Sequence, residues 1–283
     1  MNSIRFLFVV AFLNLLFLII PVIPVATQAN EETVPGRQVV RSVELPASTS
    51  TWDYGREKMK NIGEPRPVDD SKRDTVRYWL YLPLDYDKQA EGDGTPLLLF
   101  LHGAGERGDR PEEIDKVKVH GPPKLLDRPE FQKNWPCVTV SPQCKHNFAW
   151  SPEQLMLLLD HIEKEFRIDK NRIYVTGISM GGFGTWMCLH DSPKRFAAGA
   201  PICGGAKPEW AKAVKDIPIW NFHGDQDGAV PFALSQGIVD AIKAAGGCSI
   251  IFTVYGGAGH DVWTRTYDNR LLYDWLFSLS KKP

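Results

Sequence analysis

This chain has few of the residue patterns that hold metals or staple small secreted folds. It has 283 residues with five cysteines and seven histidines, and no Cys-x-x-Cys or His-x-x-x-His pair among them. A metal site built on such spacing is therefore not expected. Five cysteines is an odd number, so at least one thiol must stay unpaired. Cys137 and Cys144 bracket an apparent strand at 138–141, and an extended chain would keep their Cα atoms beyond disulfide reach. Cys188 falls on a helical stretch and Cys203 ends a strand, so mostly buried thiols behaving as small hydrophobes are expected. An excess of charge is also missing. Lys and Arg total 33 against 34 Asp and Glu, a net charge of −1, which provides no footprint for nucleic acid or an acidic membrane surface. No fixed-period repeat and no sustained heptad run is visible, which excludes solenoids and coiled coils.

What is present suits one sizeable core, since 43% of the residues are hydrophobic. Arg5 precedes an apolar run over 6–26, interrupted by Asn14, Pro21 and Pro24, and Thr27-Gln-Ala29 offers a small-residue cleavage site. Residues 1–29 read as a signal peptide, which places the rest of the chain outside the cytoplasm, periplasmic or extracellular. The run approaches membrane-spanning length, so an uncleaved N-terminal anchor is the alternative. No cysteine stands at its end as a lipid attachment site would require. Residues 30–74 are rich in Glu, Arg, Pro and Thr, and the alternating run at 39–45 suits a half-exposed strand. They read as a leader with an edge strand ahead of a single domain over 75–283.

Strand and helix alternate through that domain. Strands are expected at 76–83, 97–102, 137–141, 172–176, 198–203, 217–222 and 249–255, with helices at 152–166, 180–190, 232–245 and 266–279. Such alternation gives a mostly parallel sheet with helices on both faces.

The most specific signal is Gly177-Ile-Ser-Met-Gly181, which ends a β-branched run and turns into a helix. A serine at such a turn is raised toward substrate on strained backbone, with small neighbours beneath it, and stands at a helix N-terminus that favours a developing oxyanion. A serine hydroxyl needs a base and a carboxylate behind it. Asp225 and Asp227 follow the apolar strand that ends at His223, and His260 follows the strand over 249–255 through a run of glycines. The order Ser, Asp, His, each at a strand's C-terminal end, supports the pairing of Ser179 with one of these aspartates and His260. His120, His146, His161 and His190 lack a strand-end context and read as solvated or capping. His102 and His223 each end an apolar strand before a glycine and read as supports that hold the adjoining loop through backbone hydrogen bonds. One oxyanion donor is expected from the Met180 N–H, and the second from Ala104, with Gly105 as alternate, in the glycine-dense turn after the strand over 97–102. That turn carries no Gly-Lys-Ser/Thr and opens no long helix, which argues against a phosphate cradle.

His102-Gly-Ala-Gly-Glu-Arg-Gly108, Ser141-Pro-Gln-Cys144, Gly177-Ile-Ser-Met-Gly-Gly182, His223-Gly-Asp-Gln-Asp227 and Gly259-His260 together resemble the α/β-hydrolase superfamily, from about residue 75 to the C-terminus. More narrowly they resemble its bacterial esterases related to polyhydroxybutyrate depolymerases, feruloyl esterases and a group of "predicted peptidases". The resemblance implies an α/β-hydrolase fold, no cofactor, and Ser179, Asp227 and His260 as nucleophile, acid and base. In the family this chain resembles, the aspartate usually lies four residues past the strand-end histidine and three before a Val-Pro pair, which implies Asp227 over Asp225 and leaves Asp225 as a turn-former. No insertion is long enough for a full lid domain, although the loop over 106–128 exceeds a minimal connection and suits a partial cover. Trp150, Trp263, Gln143 and Glu106 are the candidates to touch substrate. The expected substrate is a small or carbohydrate-linked ester, such as a short acyl, acetyl or feruloyl ester, cleaved through an acyl-enzyme. No acidic or basic motif that would fix a charged peptide terminus is visible. A serine peptidase of the prolyl-oligopeptidase type is the alternative; such enzymes often carry a propeller, and none is seen here. A catalytically idle binding module would be expected to have lost a triad residue, and all three are present.

Overall fold

The computed structural model describes residues 32–49, 67–89 and 94–281. The expected signal peptide at 1–29 lies outside the described residues. Among the described residues eight strands form one sheet in the order β1-β2-β4-β3-β5-β6-β7-β8. They are β1 (Gln38–Ser48), β2 (Val68–Tyr81), β3 (Thr95–Leu101), β4 (Val138–Pro142), β5 (Ile168–Ile178), β6 (Ala198–Ile202), β7 (Ile219–Gly224) and β8 (Ile250–Tyr255). β2 runs antiparallel to both β1 and β4, and the remaining pairs are parallel. This is the α/β-hydrolase architecture that the motifs imply.

The strand sequences explain the layering. Every residue of β3 is buried, as a central strand covered on both faces requires. Its side chains alternate: Leu97, Leu99 and Leu101 enter one apolar cluster, while Leu98 and Phe100 enter another. Successive strand residues point to opposite faces, so the two clusters are the two sides of the sheet. The edge strand β1 is mostly half-buried and buries Val39 and Leu45, which matches its alternating sequence.

The helices are α1 (Gly121–Leu125), α2 (Pro129–Gln132), α3 (Pro152–Glu165), α4 (Met180–Asp191), α5 (Ala211–Val214), α6 (Phe232–Ala244), α7 (Trp263–Tyr267) and α8 (Arg270–Phe277). On α3, Leu155, Leu158, Leu159 and Ile162 recur at helical spacing and are buried, and Ser151 caps the first turn by accepting from the Gln154 N–H. α3, α4 and α6 contribute to the first cluster; α1, α7 and α8 contribute to the second. α4 is buried from Met180 to Leu189, with Trp186 fully enclosed, so its position beneath the cleft is rigid. The helix expected over 266–279 is instead two, α7 and α8. Asn269 separates them because its side chain accepts from the Leu271 N–H at 3.1 Å and caps α8.

Candidate active site

The C-terminal ends of β3, β5, β7 and β8 meet at one crevice, the usual ligand position in open α/β sheets. Ser179 stands between β5 and α4 with φ 53° and ψ −115°, a left-handed conformation that is rare and strained for a side chain with a Cβ. Its N–H donates to Ile202 O at 2.9 Å, which fixes the turn to β6. The flanking glycines are required by close backbone approach. A Cβ on Gly177 would lie 2.4 Å from Gly181 O, and one on Gly181 would lie 1.9 Å from Leu101 O. A methyl group at either position would drive β3 and the serine turn apart.

His260 follows β8. Its Nε2 lies 2.9 Å from Ser179 Oγ, and its Nδ1 lies 2.7 Å from Asp227 Oδ2. A carboxylate can only accept, so Nδ1 carries the proton and Nε2 is left free to accept from the serine hydroxyl. The Asp227 side chain is fully buried. Its Oδ1 accepts from the Ala229 and Val230 amides, both at 2.8 Å, and its Oδ2 also lies 3.1 Å from His223 Nε2. Burial pushes this carboxyl up, but the bonds from His223, His260, Val230 and Ala229 together hold it well below the usual carboxylate range. Asp225 is exposed, and its carboxylate accepts from the Gly257 N–H at 2.7 Å, which ties the two loops together at a distance from the imidazole.

Several buried groups keep this arrangement in place. The Cys144 N–H donates to His102 Nε2 at 3.0 Å, so the proton of His102 is on Nδ1 and donates to Gly103 O at 2.6 Å. Burial pulls His102 down to about 3, which keeps it neutral and bracing the Gly103 turn. His223 contacts Ser235 Oγ at 2.7 Å and Val230 O at 3.0 Å. Cys203, at φ 49°, donates its thiol to His260 O at 3.0 Å, and burial pushes that thiol up to about 12. Cys203, His223 and Asp227 place a thiol, an imidazole and a carboxylate within 4.8 Å of one another. All three are committed to hydrogen bonds that hold the loops. The role of Cys203 had no signal in the sequence, because its thiol meets His260 from a distant strand end; His223 holds the adjoining loop, as its strand-end place suggests, and also reaches Asp227 four residues on.

A cleft of about 440 Å³ opens over Ser179. Gly103, Ala104 and Gly105 from the turn after β3, Met180 and Phe183 from α4, and Ala229 and Val230 from the loop after β7 line it. Met180 opens α4 and Ala104 opens a short 3₁₀ turn, Ala104–Glu106. The first amides of a helix have no partner inside it, so both N–H groups are free to face a ligand.

Residues 88–269 match the model of the Phospholipase/Carboxylesterase family. The chain belongs to this family. It is 28% identical over 150 residues to the "Bifunctional acetylxylan esterase/xylanase XynS20E" of Neocallimastix patriciarum, covering 51% of this chain and 21% of that protein. It is 24% identical over 195 residues to the "Probable carboxylesterase SOBER1-like" of Arabidopsis thaliana, covering 58% of this chain and 72% of that protein. A solved "Thermostable Esterase" superposes with a TM-score of 0.64 at 33% identity, over 75% of this chain and 61% of that one. The chain thus spans about a fifth of the first relative and under two thirds of the solved esterase.

In this carboxylesterase-family chain two of the substrate-contact expectations are corrected. Trp150 does not line the cleft. It is 4% exposed, its indole N–H donates to His102 O at 3.1 Å, and its ring packs edge-on to His102 and against Gly184. Gln143 is also buried, donating to Glu106 O at 2.9 Å and Glu113 O at 2.7 Å, so it braces the 106–113 segment from behind. Both lie at the catalytic end, but their side-chain N–H groups turn inward to backbone carbonyls. Glu106 and Trp263 do line the cleft. His120, expected to be solvated, lines it too, because the loop after β3 folds back over the site.

Proposed function

We propose that this protein is a serine hydrolase of carboxylic esters, acting through an acyl-Ser179 intermediate. The observation that carries the reading is the continuous hydrogen-bonded chain Ser179 Oγ, His260, Asp227 Oδ2, assembled from three strand ends. In this reading His260 Nε2 takes the hydroxyl proton as Ser179 Oγ attacks the ester carbonyl, and Asp227 stabilises the imidazolium. The tetrahedral oxyanion is received by the Met180 and Ala104 amides. The imidazolium then protonates the departing alcohol, and water repeats the sequence on the acyl-enzyme, releasing acid and restoring Ser179. Treatment with a fluorophosphonate followed by peptide mass spectrometry is expected to place the adduct on Ser179. An adduct elsewhere, or none on the folded protein, overturns the reading.

The Ala104 assignment is tested by removing its N–H. Gly103 is extended, at φ −78° and ψ −179°, a conformation suited to the residue before proline. Ala104→Pro is expected to fold and to lose about 10²- to 10³-fold in kcat, as loss of one oxyanion donor does. Gly105→Ala, where a Cβ meets nothing within 4 Å, is the control with little expected effect. Wild-type kcat in Ala104→Pro would return the second donor to Gly105.

The proposed substrates are acetyl or feruloyl esters on carbohydrate. The cleft is uncapped by any lid domain among the described residues, the indole of Trp263 offers a flat apolar surface to a ring, and the similar Neocallimastix protein is named as an acetylxylan esterase. The apolar N-terminal run supports export; N-terminal sequencing of protein recovered outside the cytoplasm is expected to begin near residue 30, and intact retention in the cytoplasm would refute it.

A further inference from the structure

The cleft has a polar wall whose direction can be assigned from the chemistry. His260 must hand its proton to the alcohol oxygen, so the alcohol portion of the ester leaves along the flank on which His260 stands. From His260 that flank is continuous. Trp263 packs edge-on to the His260 ring, centroids 5.0 Å apart at 90°. Its other side meets His120, centroids 5.6 Å apart at 66°. His120 Nε2 in turn lies 3.9 Å from Glu106 Oε1, too long for a hydrogen bond. Glu106 supplies the carboxyl among the residues that line the cleft, and its side chain is only 12% exposed.

This carboxyl lies in the same 3₁₀ turn as the proposed oxyanion donor Ala104. A bare carboxylate there opposes the negative charge that develops on the carbonyl oxygen. Burial pushes Glu106 above the ordinary carboxylate range, opposed by His120 and by hydrogen bonds from the Gly103 and Glu106 amides. Those amides leave part of its accepting capacity open, and Glu106 lines the cleft. A donor carried by the substrate's alcohol would complete the group and offset its field.

We propose that Glu106, on the wall it shares with His120 and Trp263, is the specificity-determining residue of an alcohol-side subsite that accepts a hydrogen bond from a free hydroxyl of the ester's alcohol, selecting polyol esters over simple alkyl esters. The inference rests on the serine-esterase reading and extends it to the leaving group. A hydroxyl is the donor assigned because the proposed carbohydrate esters carry hydroxyls on their alcohol side; an ammonium would pair with the same carboxylate, and acetylcholine is the substrate that tells the two apart. The His120 and Trp263 rings also border a second, far smaller depression beside Lys124 and Asp268.

The test holds the acyl group constant and varies the alcohol, comparing kcat/KM for glycerol monoacetate, propyl acetate and acetylcholine. The ratio of glycerol monoacetate to propyl acetate is expected to fall about 10- to 100-fold in Glu106→Leu and to be largely retained in Glu106→Gln, whose amide still accepts. If Glu106→Leu does not fold, Glu106→Ser, too short to reach, is expected to show the same fall. An unchanged ratio overturns the subsite. A fall confined to acetylcholine overturns the hydroxyl assignment in favour of a cation. Equal losses on all three substrates reduce Glu106 to a support of the turn. Failure of the wild-type protein to hydrolyse any of the three, together with no fluorophosphonate adduct on Ser179, is a failure of the esterase reading itself and is distinguishable from these outcomes.

Discussion

Ser179→Ala is expected to abolish ester turnover, with kcat falling by about 10⁴- to 10⁶-fold toward the residual rate that oxyanion stabilisation and binding provide alone. The fold should survive. The Ser179 N–H bond to Ile202 O is a backbone contact, and no glycine clearance beneath the turn depends on Oγ. The variant is therefore expected to melt at or near the wild-type temperature while losing both activity and fluorophosphonate labelling. A variant that keeps more than a few per cent of wild-type kcat would remove Ser179 from the role of nucleophile.

Asp227→Asn is expected to cost about 10⁴-fold in kcat with little change in KM, because a carboxylate here selects the imidazole tautomer. The geometry makes the direction of failure specific. Oδ1 is held by the Ala229 and Val230 amides, so the carbonyl oxygen of an asparagine would keep that place. Its NH₂ would then face His260 Nδ1 and force the proton onto Nε2, where it blocks transfer from Ser179. Asp225→Asn, by contrast, keeps an oxygen to accept from the Gly257 N–H and is expected to stay within a few-fold of wild type. Steady-state kinetics on both variants decide the matter, and a crippled Asp225→Asn beside a near-normal Asp227→Asn would reverse the assignment.

The two aspartates also mark where sequence reading stopped being self-sufficient. Both follow the same strand in the same turn, and local pattern alone left the choice open; only the resemblance to known hydrolases favoured Asp227. In the structure the choice follows from burial. Asp227 lies beneath the loop with two amides and two histidines around it, whereas Asp225 points outward to the Gly257 amide.

The same division runs through the cleft. Trp150 and Trp263 looked alike as loop tryptophans at the catalytic end. Trp263 opens α7 and packs on His260, while Trp150 turns inward and donates to the carbonyl of His102. Glu106 and Gln143 were both candidates for substrate contact. One has its carboxyl in the cleft and the other spends its amide on the backbone behind it. His120 was set aside because it has no strand before it, yet the chain after β3 returns it to the wall.

By itself, then, the sequence determined the alternation of strands and helices, the glycine-flanked serine turn and the strand-end position of His260, because each is written in residues adjacent along the chain: side-chain period, β-branching, glycine where the backbone packs closely. Tertiary structure alone decided the burial of Asp227 against His260, the inward turn of Trp150 and Gln143, and the gathering of Glu106, His120 and Trp263 along one wall. These depend on which polar groups distant segments bring together, and satisfying buried polar groups is a property of the assembled fold.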